Sequence, residues 1–401
     1  MKRTQPEKPA PLPVLAFYTH KGGVAKTTTL LAVAARAVQA GLRVCVIDCD
    51  PQMNASAFLA RGAFDFEALY AALLDHYVAQ RRATWERSEA DKRTIAQFGL
   101  AHRNIRDLLV DRAINASFAD ILAKKAQIGY DVTGAATHAG ITLIASHPML
   151  ATLDQMLASE VYHRHANLSA MFGLLCEHMV RARGHDLVLL DLSPSNSLFN
   201  QMALMASSAI VSPLTGDRFS ALSLRTLGLT LDLARENFSA ALELPPPRLC
   251  ALVYTRYEAG DVALRSAGRD YRVTAQHAAY IEAIRGALRS PQLTQWLAPG
   301  SDAAQMPLVR DAPALSAKLQ HASLTPLDNL ADAGLSAEEL TQAAALRDEY
   351  EALWERVRVT LGLPVAVLDL CCRRCGALGA TLVARPGLAA YCSARCAGAT
   401  Q

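Results

Sequence analysis

The sequence predicts an α/β fold: a doubly wound, mainly parallel sheet flanked by helices, with a helical insertion and a small C-terminal module. Three observations carry this. Short apolar runs at 14–18, 44–48, 141–145, 187–191, 208–212 and 249–254 alternate with helix-like stretches, the order from which parallel sheets are wound. The second and fourth runs end in aspartates, Asp48 and Asp191, where open parallel sheets bind ligands. A glycine-bearing loop follows the first run directly and opens onto a helix-like run, Leu30 to Ala40.

That loop reads His-Lys-Gly-Gly-Val-Ala-Lys-Thr-Thr-Thr from His20 to Thr29. Strand, glycine loop, Lys-Thr and helix together make a phosphate cradle. Backbone N–H groups and the positive end of the helix face an anion. A lysine supplies point charge to the outer phosphates, and a neighbouring hydroxyl can bind Mg²⁺. Lys26 and Thr27 fill these two places. The cradle as a whole spans Gly22, Gly23, Val24, Ala25, Lys26, Thr27 and Thr28.

The second run continues as Asp48-Cys49-Asp50-Pro51-Gln52, with Pro51 ending the strand. The fourth is Leu187 to Leu190 followed by Asp191, Leu192, Ser193 and Pro194. Four apolar residues closed by an acid describe a buried strand with a carboxylate at its tip. After the second strand, residues 61–138 form a long insertion mixing aromatic and charged residues (Tyr70, Tyr77, Arg81, Trp85, Arg87) at helix-like spacing. It reads as a helical elaboration, either a solvated cover or a contact for another protein. Residues 291–330, rich in Pro, Ser, Asp and Ala, read as a loop-rich connector. Ser336 with Glu339 forms a capping box, so a helix should run from about Ala337 to Thr360 and stop before Gly362 and Pro364.

The form Lys-Gly-Gly-x-x-Lys-Thr resembles the deviant P-loop of the ParA/MinD family of ATPases, and Asp-x-Asp-Pro-Gln resembles a second signature of that family. The resemblance covers about residues 12–290. It is specific at these two motifs and looser at Ala209 to Ser220, at Leu249 to Tyr257, whose end would approach the adenine, and at Ile141 to Pro148. It implies an ATPase with ATP and Mg²⁺ as cofactors. Lys21 would then be the lysine that reaches the nucleotide of a partner subunit, with Lys26 acting in its own subunit. Asp50 would position the attacking water, Thr27, Asp48 and Asp191 would serve the Mg²⁺ shell, and the segment after Asp191 would sense the γ-phosphate.

Two positions depart from the pattern: His20 and Ala25 stand where a general P-loop has glycine. If position 25 needs a positive φ, alanine there costs roughly 1–2 kcal/mol. If it does not, the methyl only narrows the loop.

The resemblance further implies an ATP-bound homodimer, non-specific DNA binding, and a ParB-like or other partner that stimulates hydrolysis, in plasmid or chromosome partition or cargo positioning. Candidate DNA contacts are Arg225, Arg235, Arg265, Arg269, Arg272, Arg285 and Arg289. The alternatives are a MinD-like positioning ATPase, against which the cysteine-rich ending counts, and a metal-cluster carrier or ligase with the same P-loop.

The tail from residue 364 has its own chemistry. Cys371, Cys372, Cys375, Cys392 and Cys396 fall within 26 residues. Cys372-x2-Cys375, a 16-residue spacer and Cys392-x3-Cys396 can close a tetrahedral thiolate site of the kind Zn²⁺ prefers. Cys371 is a spare thiol or replaces Cys372; an iron–sulfur cluster or unligated cysteines are the other readings. The two halves resemble a zinc knuckle and a treble-clef finger. Arg373, Arg374, Arg385 and Arg395 give the tail a basic character that suits DNA, a protein, or a cap on the preceding helix. Cys45, Cys49, Cys176 and Cys250 sit in apolar runs and read as core residues.

Composition sets the frame. With 401 residues, 51% apolar and 19% charged, the chain can bury one large core and carry an appendage. A formal net charge of +3 neither demands nor excludes a nucleic-acid partner. No apolar run reaches about 18 residues, so no membrane span is expected. Met1 to Pro13 has no apolar signal core, and the expectation is a cytoplasmic, nucleoid-associated protein.

Overall fold

A computed structural model describes residues 11–60, 65–81, 104–110, 128–132, 140–163, 167–242, 244–299, 301, 306–328, 330 and 333–364. Its centre is a sheet of β1 (Val14–Phe17), β2 (Val44–Cys49), β3 (Tyr130–Asp131), β4 (Ile141–Ile144), β5 (Leu187–Leu192), β6 (Ala209–Thr215), β7 (Arg248–Tyr257) and β10 (Leu308–Arg310). The order is β10-β7-β6-β1-β5-β2-β4-β3, parallel throughout except for β3 against β4. Strands are added on one side of β1 as far as β5 and on the other from β6 onward, so the crevice beside β1 is where a ligand enters such a sheet.

The strands are buried on both faces, which explains their unbroken apolar runs. Successive residues of β1 still divide between two cores. Val14 and Ala16 pack with helices α5 (Thr152–His163), α6 (Asn167–Glu177), α7 (Leu198–Ala206), α8 (Arg218–Leu242) and α9 (Ala275–Leu288). Leu15 and Phe17 pack with α1 (Lys26–Gln39) and α12 (Ala337–Leu361). Arg36 of α1 grips Glu351 of α12 through Nε and Nη2 at 2.5 and 3.0 Å. The capping box at Ser336 and Glu339 is formed, and α12 stops at Gly362 in the left-handed conformation.

Register aligns the acids. Asp191 of β5 lies beside Phe17 of β1 on one side and Asp48 of β2 on the other. The two carboxylates therefore end adjacent strands at the same height.

The connector expectation needs correction. Within 291–330 the structure forms α10 (Pro291–Thr294), the edge strand β10, parallel to β7, and α11 (Pro313–Ala322). A three-residue strand carries no periodicity of its own; β7 supplies its partner groups. A hairpin of β8 (Ala259–Ser266) and β9 (Arg269–Val273) was also not anticipated. Its turn holds Ala267 and Gly268 at φ 48° and 74°, the positive angles that a two-residue hairpin loop needs.

In the insertion, α3 (Phe66–Arg81) and α4 (Ile105–Val110) are helical as expected, while β3 is a strand. The segment with Trp85 and Arg87 lies outside the described residues, as does the tail with Cys371, Cys372, Cys375, Cys392, Cys396 and its arginines. Cys45, Cys49, Cys176 and Cys250 are buried and unpaired, as core residues.

Candidate nucleotide site

The loop between β1 and α1 turns by placing Gly23 and Ala25 at φ 73° and 59°. Position 25 thus requires the left-handed region, and alanine occupies it against a steric cost of about 1–2 kcal/mol. Ala25 is the N-cap of α1 and offers no side-chain cap, and no acid stands in the first turn. The leading N–H groups of a 14-residue helix remain for an external anion.

Lys26, at the first position of α1, is 8% exposed. Its Nζ lies 2.6 Å from Asp191 Oδ1 and 3.7 Å from Asp50 Oδ2. Burial pulls its pKa down, but Asp191, Asp50 and Asp48 together outweigh this and hold it above the usual lysine value. Thr27 Oγ1 donates to the other oxygen of Asp191 at 2.7 Å.

Asp48 is completely buried. Its Oδ2 accepts from the Ser56 N–H at 2.8 Å and hydroxyl at 2.7 Å, and its Oδ1 accepts from the Asp50 N–H at 3.1 Å. Burial, then the nearby Asp191, push its pKa up to about 7. Asp50 reaches the cavity with one oxygen tied to the Gln52 N–H at 3.0 Å.

Lys21 stands at the rim rather than in the interior. Its Nζ contacts Asp217, just after β6, and donates to Oγ1 of Thr215, the last residue of β6, at 3.0 Å. Asp217 is itself held by the N–H groups of Phe219 and Ser220 at 2.8 and 3.1 Å. Its pKa is lowered: partial burial opposes this, but the Lys21 and Thr215 hydrogen bonds and the charge of Lys21 prevail.

His20, in place of a glycine, bridges three segments. Its Nε2 lies 3.0 Å from Thr230 Oγ1 of α8 and its Nδ1 lies 3.3 Å from Tyr18 Oη. That hydroxyl donates to the Ser195 carbonyl at 2.9 Å. Asn200 Nδ2 donates to the carbonyls of Ser193 and Ser195 at 2.8 and 2.7 Å, so the segment after β5 is fastened beneath while Pro194 and Ser195 stay exposed.

These groups open onto one cavity of about 620 Å³, lined at one end by Lys21, Gly22, Gly23, Ala25, Lys26, Thr27, Thr28 and Asp50. Val24 is the member of the expected cradle whose side chain turns away: it is buried, and its carbonyl accepts from Thr255 Oγ1 at 3.1 Å. Asp48 and Asp191 sit behind the lining and act through Ser56, Lys26 and Thr27.

The far end of the cavity is lined by Arg256, which lies in the run 249–257 whose end was expected there, and by Asp311, Pro313, Leu346 and Tyr350, which no motif identified. Arg256, one residue before the end of β7, has φ 61°, and its guanidinium reaches the Gly23 carbonyl and Asp311 Oδ1, each at 3.3 Å. Behind it, buried Glu349 accepts from Tyr257 Oη at 2.6 Å and from the Arg310 N–H and Nε at 2.8 and 2.9 Å. For the remaining residues Pro313 at a helix start was a signal the sequence offered.

Of the candidate DNA contacts, Arg235 pairs with Asp232 at 3.1 Å, Arg265 with Asp270 at 3.3 Å and Arg285 with Glu282 at 2.6 Å. Arg272 Nη2 donates to the Asp261 carbonyl at 3.3 Å. Arg225 and Arg289 border one shallow groove between α8 and α9. Among the described residues no helix is long and apolar enough to cross a membrane.

Fold and site together define a P-loop α/β protein. The chain belongs to the AAA domain family AAA_31, whose model matches residues 12–244. It is 25% identical over 248 residues to an uncharacterized protein, Rv1708, of Mycobacterium tuberculosis, covering 62% of this chain and 59% of that relative. The chain thus spans well under two thirds of that relative's length. It is 27% identical over 264 residues to the chromosome partitioning protein ParA of Caulobacter vibrioides, covering 65% of this chain and 76% of ParA. Among solved structures, apo McdA from Cyanothece superposes with a TM-score of 0.53 at 16% identity, covering 86% of this chain and 98% of that one. The ATP complex of a Cyanothece McdA variant gives 0.54 at 13% identity, covering 89% and 98%. These likenesses show a shared fold.

Proposed function

We propose that this protein is a ParA-like ATPase whose ATP-bound dimer binds DNA non-specifically and lets go on hydrolysis, in partition or cargo positioning. The observation that carries the reading is the convergence of Lys26 and Thr27 on Asp191 beneath an uncapped helix N-terminus, with a second lysine at the rim. The likeness to the chromosome partitioning protein ParA of Caulobacter vibrioides supports the same class.

The donor set fits a magnesium nucleotide. Asp48, Asp50 and Asp191 surround one ammonium, and Asp48 is pushed to about 7, a surplus of carboxylate that a divalent cation relieves. When bound, magnesium nucleotide supplies the phosphoanhydride and neutralises charge on its oxygens. Lys26 would meet the outer phosphates, and the Thr27 hydroxyl with Asp48 and Asp191 would hold the ion and its water shell. Asp50 would position the attacking water. Arg256 and Asp311 border the space left for the base and sugar.

Lys21 has to leave Asp217 before it can serve a partner's nucleotide, so the intrachain contact opposes dimerisation until ATP is present on both subunits. Arg225 and Arg289 are the DNA contacts we favour, since they share one groove. A ParB-like or other small protein would stimulate turnover. We also propose that Cys372, Cys375, Cys392 and Cys396 bind Zn²⁺; metal analysis should find one zinc per chain, with a colourless protein in place of the brown of an iron–sulfur cluster.

The test is ATP-dependent DNA retention by wild type and Lys21→Ala side by side. The substitution should abolish ATP-induced dimerisation and DNA retention while nucleotide binding persists. Equal retention by both proteins would remove the dimer mechanism.

A further inference from the structure

Helix α8 has two apolar faces. Leu224, Leu227, Leu231, Ala234 and Phe238 are buried in the core. On the opposite side Phe219, Leu222, Leu229 and Leu233 are 69%, 56%, 57% and 45% exposed. With Thr226 between them they fall at steps of 3, 4, 3 and 4 residues, the a/d spacing of a helix–helix seam. The four side chains leave about 400 Å² of apolar surface in water, within the size of patch that marks an interaction site.

We infer that this seam pairs with the same seam of a second copy, α8 against α8 and antiparallel, inside the ATP-bound dimer; the inference rests on the dimer reading above. Two features select a second copy over a foreign helix. The seam is symmetric about its own middle: Phe219 and Leu233 lie seven residues to either side of Thr226. A twofold crossing there sets Phe219 toward the partner's Leu233 and Leu222 toward the partner's Leu229, the self-complementarity an isologous contact demands.

The seam is also continuous with the nucleotide rim. It starts two residues after Asp217, the partner of Lys21, and Thr230 of the same helix holds His20. Area sets the nucleotide dependence: the patch is about half of the roughly 800 Å² per subunit of a stable interface. The remainder must come from the phosphate-bearing rim, and the pair forms only when nucleotide completes it.

The experiment is sedimentation velocity on the full chain with and without magnesium and a slowly hydrolysed ATP analogue. Wild type should be a dimer only with the analogue. Leu222→Glu and Leu229→Glu should each weaken dimerisation at least tenfold, with unchanged thermal melts and unchanged binding of a fluorescent ATP analogue.

If wild type dimerises and both leucine variants dimerise equally well, the seam inference is overturned while the ATP dimer stands. Leucine variants that dimerise normally but lose stimulation by a partner protein assign the seam to that protein and overturn it too. A wild type that stays monomeric with the analogue overturns the dimer reading and the seam together.

Discussion

The two ends of the cavity are built in opposite ways. At the phosphate end the working groups are neighbours in sequence: Gly22 to Thr28 wrap the site, and Lys26 is buried against acids that close adjacent strands. At the far end Arg256, Asp311 and the α12 pair Leu346 and Tyr350 come from three separate segments, joined through Glu349 and Arg310. The difference teaches where precision resides. Helix N-terminus and parallel strand tips give the phosphate end fixed charge wherever this fold occurs. The other end depends on a short edge strand and on α12, so its shape rests on how segments distant in sequence pack together.

The strongest way to break this comparison is Lys26→Ala. Losing the ammonium leaves three acids facing one another, so nucleotide affinity should fall at least 100-fold and stability by about 3 kcal/mol. Fluorescent nucleotide titration and urea unfolding measure both. Glu349→Ala tests the other end. It strips partners from Tyr257 and Arg310 and should cost about 2–3 kcal/mol of stability, yet lower nucleotide affinity only a few-fold. Loss of affinity equal to that of Lys26→Ala would mean that the two ends are not separable.

Ala25→Gly should stabilise the free protein by about 1 kcal/mol, because glycine accepts the left-handed conformation without penalty; a denaturant midpoint that stays put would place the strain elsewhere. Asp217→Asn should leave nucleotide affinity unchanged and accelerate ATP-dependent dimerisation a few-fold by freeing Lys21, read by stopped-flow light scattering.

The smallest effect concerns pH. Burial lowers the pKa of His20, opposed by a backbone hydrogen bond at Thr226. The folded state therefore favours neutral imidazole. Its contribution is complete above the unfolded pKa near 6.5 and is lost as pH falls through the lower folded value. Stability should drop on going from pH 7.5 to 5.5, and less so in His20→Gln.

The loop, the acid-tipped strands and the capped helix α12 were legible because each is written in contiguous residues. The positive φ at Ala25 was posed as a question by the sequence and answered by the turn itself. For Arg256 only the end of its strand was marked, since a non-glycine residue at positive φ leaves no sign in composition. β10 was taken for loop because Leu-Val-Arg, flanked by Pro307 and Asp311, is too short for a period-2 signal. Lys21 was recognised as special, but its holder Asp217 stands 196 positions away.

By itself, then, the sequence determined the six main parallel strands, the capped helix α12, the phosphate loop with its two lysines, and the acids Asp48, Asp50 and Asp191. These follow from alternation, capping and turn preferences that act over a few residues. Only the tertiary structure decided that Asp191 and Asp48 meet at one height, that Lys21 rests on Asp217, and that residues 308–322 wall the cavity. Such pairings depend on strand register and on which helix faces are covered, and those are settled by the packing of the whole sheet rather than by any one segment of it.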